Sequence, residues 1–351
     1  MNSITSNRID DLLLNSDVFS NTINENIVQH NFCNETILIT GAAGSIGSGL
    51  VKQLIHSTFK KLILVDIAES PLYNLIKSLE NTNTRKVEFF ILNITNKSGL
   101  VNLFKKYKPT IIFHAAAYKH VPLMENNPLE AIHLNIFGTQ LLADLAVDFK
   151  VKKFVFISTD KAVNPISIMG FTKLIAENYL KYISENKNTN FYITRFGNVL
   201  GSNGSVVPVF KKQIESGLPL TITNEEITRY FIQKETACEL ILKIALTEES
   251  SNSFTFNMGE PIKILDLAKR MIHLSKLNKN YPIKFTSLRP GEKLTEEIIS
   301  NSENLIPTKN PDIFIIENLK TALKPIDFLK LKQLDSNFSV QEIKTILKNT
   351  I

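Results

Sequence analysis

The chain has 351 residues, 43% hydrophobic and 21% charged, with a net charge of +6, the balance of an ordinary globular protein. That length suits two modest domains or one large domain with a cap. No apolar run approaches the roughly 20 residues that cross a bilayer, and no basic stripe, finger or RNA-binding signature points to nucleic acid. The lysines are scattered, which fits a solvated surface or attraction toward an anionic ligand such as a nucleotide. Cys33 and Cys238 lack metal-ligand spacing and two cysteines argue against a disulfide framework, so no metal and a reducing, cytoplasmic setting are expected. The N-terminal stretch MNSITSNRIDDLLLNS reads as neither a secretory signal nor a transit peptide.

In chain order, residues 1–33 form an arm in which RIDDLLLN suits a short helix. Strands are predicted at TILIT (36–40), KLILVD (61–66), VEFFIL (87–92), TIIFHAAA (110–117), KFVFIST (153–159) and FYITRF (191–196). Most are continuous apolar runs, as buried parallel strands require, and amphipathic stretches separate them. This alternation predicts an α/β fold with a doubly wound parallel sheet over residues 34–200. After Gly197 the rhythm changes. Short strands (PLTIT, SFTFNM, PIKFTS) mix with helices near 206–217, 235–248 and 264–275, so residues 201–351 read as a smaller α+β cap. Segments near 228–258 are expected to return to the main sheet.

Gly41-Ala42-Ala43-Gly44-Ser45-Ile46-Gly47 joins the first strand to the first helix. Gly41 permits a tight turn, Gly44 lets the backbone approach a pyrophosphate, and Gly47 lets the helix pack on the strand. The helix N-terminus adds N–H donors. Asp66, 19 residues beyond Gly47, ends the second strand where a carboxylate can accept from a ribose diol and repel a 2′-phosphate, favouring NAD over NADP. A strand-end turn residue is the plainer alternative. Asn93 and Ile94 end the third strand, at the adenine edge. Ala115, Ala116 and Ala117 follow the fourth and leave room for a cofactor.

The segments HAAAYKHVPLMENNPLEAIHLNIFGT (114–139), FISTDKAVNPISIMGFTK (156–173), RFGNVLGSNGSVVPVF (195–210), EITRYF (226–231) and LRPGEK (288–293) follow one another in a distinctive order. Together they resemble the nucleotide-sugar 4,6-dehydratase branch of the extended short-chain dehydrogenases. The likeness is to the polysaccharide-biosynthesis UDP-N-acetylglucosamine 4,6-dehydratases of configuration-retaining type, and it runs from about residue 9 to about residue 300. It implies a Rossmann-type domain with bound NAD, a substrate-binding cap, UDP-N-acetylglucosamine or a close UDP-sugar as substrate, and a homodimer. Some relatives carry N-terminal membrane helices, and this chain begins after where those would lie.

The implied reaction oxidises carbon 4, eliminates water across carbons 5 and 6, and returns the hydride to carbon 6. By resemblance Thr159 hydrogen-bonds the carbon 4 oxygen, Asp160 is the acid, Lys161 the base, and Lys173 holds the nicotinamide ribose. For that chemistry Lys161 must be neutral and Asp160 protonated when each acts; Lys173 and the nicotinamide are expected to supply the charge that neutralises Lys161. Met169 stands where the superfamily carries tyrosine, as in the retaining branch, so the base for the carbon 4 hydroxyl stays open among Thr159, Tyr118 and Asp160. Asn135 positions this region beside the cofactor. Tyr118, Lys119, Met169, Asn198, Ser205, Arg229, Arg289 and Glu292 are the expected substrate contacts, the two arginines at the diphosphate and Glu292 on the uridine ribose. Plainer alternatives stand beside each: a strand-end ion pair for Asp160–Lys161, packing for Met169 and the histidines, solvated charges for Lys119, Glu125 and the arginines. Rival functions are an inverting 4,6-dehydratase/5-epimerase, a sugar-nucleotide 4-epimerase, and a non-catalytic NAD-sensing protein.

Overall fold

The computed structural model describes residues 3–14, 16, 19, 28–80, 82–185, 188–248, 252–278, 280–319 and 325–351. Helix α1 (Ser3–Leu14) precedes β1 (Asn31–Thr40), and α2 (Ser45–Leu54), β2 (Thr58–Asp66), α3 (Glu69–Ser78), β3 (Val87–Ile91), α4 (Lys97–Tyr107) and β4 (Ile111–His114) follow. Then come α5 (Thr139–Asp148), β5 (Lys153–Ile157), α6 (Ile168–Ser184) and β6 (Asn190–Arg195). Beyond them lie α7 (Val206–Glu215), α8 (Lys234–Leu246), β7 (Ser253–Phe256), α9 (Ile264–Leu274), β8 (Glu303–Pro307), β9 (Ile313–Asn318) and α10 (Val340–Thr350).

The main sheet runs β8-β9-β7-β6-β5-β4-β1-β2-β3. Strands β1 to β7 pair in parallel, while β9 is antiparallel to β7 and to β8. Successive strand residues face opposite sides, and both sides are dry. Ile37, Ile39, Leu62 and Leu64 pack with Leu50, Leu72 and Ile241 from α2, α3 and α8. Leu38, Ile63 and Val65 pack instead with Phe104, Leu142 and Leu180 from α4, α5 and α6. The double demand explains why these strands read as unbroken apolar runs. Each such side chain contributes roughly 1.5–3 kcal/mol on burial.

A third core lies beyond the sheet, where Ile9 and Leu13 of α1 meet Val207 and Phe210 of α7 and Leu267 and Met271 of α9. The arm helix is therefore part of this unit, fixed by a salt bridge between Asp10 and Arg270. Residues 303–318 and 340–350, grouped with the cap in the sequence analysis, pack elsewhere. Strands β8 and β9 extend the main sheet, and Ile343 and Leu347 of α10 pack beside Ile168 and Met169 of α6.

Candidate active site

Thr40, Asp66, Ile91, His114, Ile157 and Arg195 end β1 to β6 at one edge of the sheet, so the loops that follow them gather along that edge. The first is the glycine loop. Gly41 has φ +67°, and a Cβ there would lie 2.6 Å from Ala116 N. A Cβ on Gly47 would lie 2.1 Å from the Gly41 carbonyl oxygen. Both positions therefore need a bare backbone, and they bring the N-terminus of α2 close against the strand ends. Ala116 backs this loop, whereas Ala115, Ala117, Gly44, Ser45, Ile46 and Gly47 line a cavity of about 520 Å³.

Asp66 accepts from the backbone N–H of Ala43 and of Ala68, both at 2.9 Å. It thus ties the glycine loop to its own strand. An ionised carboxylate has about four acceptor sites, so capacity remains for a ribose diol. The cradle and Asp66 fit a dinucleotide. Asn93 and Ile94 fit it less directly: Asn93 Oδ1 accepts from Thr95 N at 3.0 Å, and Ile94 is buried, its Cδ1 2.8 Å from where a Cβ on Gly138 would lie.

Strand β5 delivers the reactive cluster. Ser158 N donates to Thr194 O at 2.8 Å and Asp160 N to Phe196 O at 3.1 Å, so β6 fixes the turn. Asp160 is fully buried. Its Oδ1 accepts from Thr159 Oγ1 at 2.9 Å and from Lys161 Nζ at 2.9 Å, while Oδ2 has no hydrogen-bond partner among the described residues. Lys161 Nζ also donates to Asn198 Oδ1 at 3.3 Å and lies 3.6 Å from Glu296 Oε1. Two carboxyls thus lie beside Lys161, at 2.9 Å and 3.6 Å. Lys119 is the cation that senses it: burial lowers its pKa first, and the Lys161 charge lowers it further.

Met169 and Lys173 share one face of α6, and both line the cavity. Lys173 Nζ donates to Ile157 O at 2.6 Å and sits 3.8 Å from the centroid of the Phe156 ring. Burial pushes its pKa down to about 7, against the pull of Glu177. One turn further along, Glu177 accepts from Ser158 and is paired with Arg195, which also reaches Glu303 of β8 at 2.9 Å. Arg195 is therefore a buried tie between β6, α6 and β8.

Asn135 lies in a π-helical segment (Ile132–Gly138), a wider turn that often marks functional sites. It is buried, and both ends of its amide are engaged within the protein. Oδ1 accepts from Tyr118 N at 2.9 Å, and Nδ2 donates to Tyr118 O at 3.0 Å and Thr172 Oγ1 at 3.1 Å. It holds the Tyr118 backbone rather than presenting its amide to a cofactor. His114 is likewise held, between Thr40 Oγ1 at 2.8 Å and Thr139 Oγ1 at 2.9 Å. Glu125 caps α6 by accepting from Ile168 N at 2.9 Å and pairs with Lys344 at 2.6 Å.

The far wall of the cavity includes Tyr118, Lys119, Asn198, Ser205, Arg229, Arg289, Glu292 and Glu296. Ser205 precedes α7, and its buried Oγ has no partner among the described residues. Arg289 is largely exposed beside Glu292, whose Oε1 accepts from Thr223 Oγ1 at 3.2 Å. Arg229 is placed differently from the phosphate contact expected: its guanidinium is buried and donates to the carbonyls of Thr228, Lys293 and Leu294. Arg195 donates to Ile298 O at 3.2 Å. The two arginines thus clamp the 293–298 loop on both sides of Glu296. Nothing in LTEEIIS marks which glutamate faces the site, and the sequence analysis did not single out Glu296.

The polysaccharide biosynthesis protein family matches residues 37–318. The chain belongs to this family. It is 46% identical over 281 residues to the capsular polysaccharide biosynthesis protein CapD of Staphylococcus aureus, covering 79% of this chain and 47% of that protein. The chain therefore spans about half the length of that relative. A Campylobacter jejuni protein named UDP-N-acetylglucosamine 4,6-dehydratase (inverting) is 33% identical over 316 residues, 89% of each chain. A UDP-glucose 4-epimerase of Rickettsia rickettsii is 32% identical over 281 residues, 78% of this chain and 80% of that one. Among solved structures, Pen from Bacillus thuringiensis superposes with a TM-score of 0.74 at 31% identity, over 83% of this chain and 89% of that one. Relatives at 30% identity or more thus include one named as a nucleotide-sugar dehydratase and one named as a nucleotide-sugar epimerase. Among the described residues no helix is long and apolar enough to cross a membrane.

Proposed function

We propose that the protein is an NAD-dependent UDP-N-acetylglucosamine 4,6-dehydratase of the configuration-retaining type. The observation that carries this is the Asp160–Lys161 pair, 2.9 Å apart: Lys161 lines the cavity together with Lys173 and the glycine loop, and Asp160 is buried directly behind it. A plain epimerase moves one hydride and one hydroxyl proton and has no use for an acid and a base beyond carbon 4. A non-catalytic NAD sensor has no use for either.

NAD, when bound, supplies a reversible hydride acceptor for carbon 4 and a donor for carbon 6. The glycine loop and α2 would hold its pyrophosphate, Asp66 its adenosine ribose and Lys173 its nicotinamide ribose. Once carbon 4 is a ketone, the proton on carbon 5 is acidic. Neutral Lys161 takes that proton, the carbon 5–carbon 6 double bond forms, and the carbon 6–oxygen bond breaks. Asp160 gives its proton to the departing hydroxyl, which leaves as water. The pair then stands as ammonium and carboxylate, which the 2.9 Å contact accommodates. Thr159 orients the carbon 4 oxygen, and Met169, unable to exchange a proton, is consistent with retention at carbon 5. Ser205, Arg289, Asn198 and Glu292 are the proposed nucleotide contacts. A cytoplasmic homodimer completes this reading.

The test is incubation with NAD and UDP-N-acetylglucosamine, with product followed by mass and NMR. A product lighter by one water, with a carbon 4 ketone, a carbon 6 methyl and retained configuration at carbon 5, is expected. A product of unchanged mass epimerised at carbon 4 would instead establish the epimerase, and altered carbon 5 couplings the inverting enzyme.

A further inference from the structure

Two buried carboxyls face one ammonium in this site. Asp160 and Glu296 lie 2.9 Å and 3.6 Å from Lys161 Nζ, with side chains 0% and 3% exposed. They are not equivalent. Each leaves one buried oxygen without a partner among the described residues, but Asp160 Oδ1 accepts from Lys161 and from Thr159, both at 2.9 Å, whereas the contact of Glu296 with Lys161 is the longer one at 3.6 Å. Two carboxylates sharing a dry site with one close cation cannot both ionise cheaply, and the less supported one keeps its proton. By that criterion it is Glu296.

Resting on the dehydratase reading above, we propose that Glu296 is a positioning residue that acts in its protonated form, holding the Lys161 amine in place without adding a second negative charge against it. Asp160 and Lys161 face it from the turn after β5, Arg229 from the strand segment Thr228–Arg229, and Lys293 from its own loop. Burial raises the pKa of Glu296; Lys161 opposes this, Asp160 reinforces it, and Arg229 and Lys293 oppose it more weakly. The consequence is chemical. Before elimination one proton must pass from Lys161 to Asp160, leaving a neutral amine and a carboxylic acid. An ionised Glu296 would hold the ammonium and oppose that transfer, whereas a neutral one lets it occur. The arginine clamp on the 293–298 loop fixes the carboxyl where it has this effect.

The test compares kcat and KM against pH for wild type, Glu296→Gln and Glu296→Ala, each loaded with NAD. Glutamine is isosteric with the neutral acid and cannot ionise. Wild-type kcat should fall as pH rises through the titration of Glu296. Glu296→Gln should lower kcat by no more than about tenfold near neutrality, leave KM unchanged and move that alkaline limb to higher pH, while Glu296→Ala should lose about 100-fold. Glu296→Gln as impaired as Glu296→Ala, with the limb where wild type has it, would show that the carboxylate is required and overturn the proposal. Full activity in Glu296→Ala would overturn it too. Wild type yielding no dehydrated product overturns the dehydratase reading and this inference together, an outcome distinct from either.

Discussion

Lys161 Nζ and Asp160 Oδ1 lie 2.9 Å apart, and the same nitrogen donates to Asn198 Oδ1 at 3.3 Å. One proton moving along that contact converts the ion pair into the base and acid an elimination requires. Partners of opposite task are therefore prepared by one transfer, without exchange with solvent.

Lys161→Ala should lower product formation by about 10²–10⁴-fold. NAD affinity by calorimetry should stay at the wild-type value, because the glycine loop and Asp66 do not contact Lys161. Asp160→Asn should behave similarly.

Lys173 yields a prediction on stability. Its folded pKa of about 7 lies below the ordinary 10.5, so between those values the unfolded chain binds a proton that the folded one does not. Stability of the cofactor-free protein should therefore rise with pH across that window. Lys173→Met should remove the dependence. Its stability advantage over wild type, read from urea midpoints, should be largest near pH 7, on the order of a few kcal/mol, and fade toward pH 10. The variant should also be inactive.

Gly47→Ala places a Cβ 2.1 Å from the Gly41 carbonyl oxygen, a backbone atom that cannot move aside without opening the cradle. A loss of about 1–3 kcal/mol in stability is expected from the overpacking. A weaker NAD complex should accompany it in a calorimetric titration.

Much of the sheet was legible because its strands are buried on both faces. Ile37 to Ile39 and Leu62 to Val65 must be apolar at every position, and such runs announce themselves. The glycine loop was legible because Gly41 and Gly47 sit where a Cβ cannot. Strands β8 and β9 were not: Leu305 and Ile306 are exposed, and an edge hairpin imposes no such pattern. Arg229 and Glu296 were misplaced or unnoticed for a related reason. An arginine bound to backbone carbonyls and one bound to phosphate look alike in sequence. Which of Glu296 and Glu297 faces inward depends on a clamp from Arg195, about a hundred residues away.

Arg195 is the best place to measure the cost of that clamp. Burial alone would raise the carboxyls of Glu177 and Glu303, yet Arg195 holds both below the usual range. Arg195→Met takes the paired guanidinium from Glu177 and Glu303, leaving the weaker pull of Lys181 on both, and should cost about 3–5 kcal/mol in guanidinium unfolding. Stability from these pairs is present above the ordinary carboxyl range and is lost as pH falls through the depressed values, so wild type and variant should converge in acid.

The most direct test is turnover of UDP-N-acetylglucosamine in deuterated water, with the product analysed by NMR. Proton removal at carbon 5 by Lys161 predicts one solvent deuteron on carbon 5 of a 4-keto-6-deoxy product, absent when Lys161→Ala replaces wild type. A wild-type product with its original carbon 5 hydrogen and an intact carbon 6 hydroxyl would contradict the account.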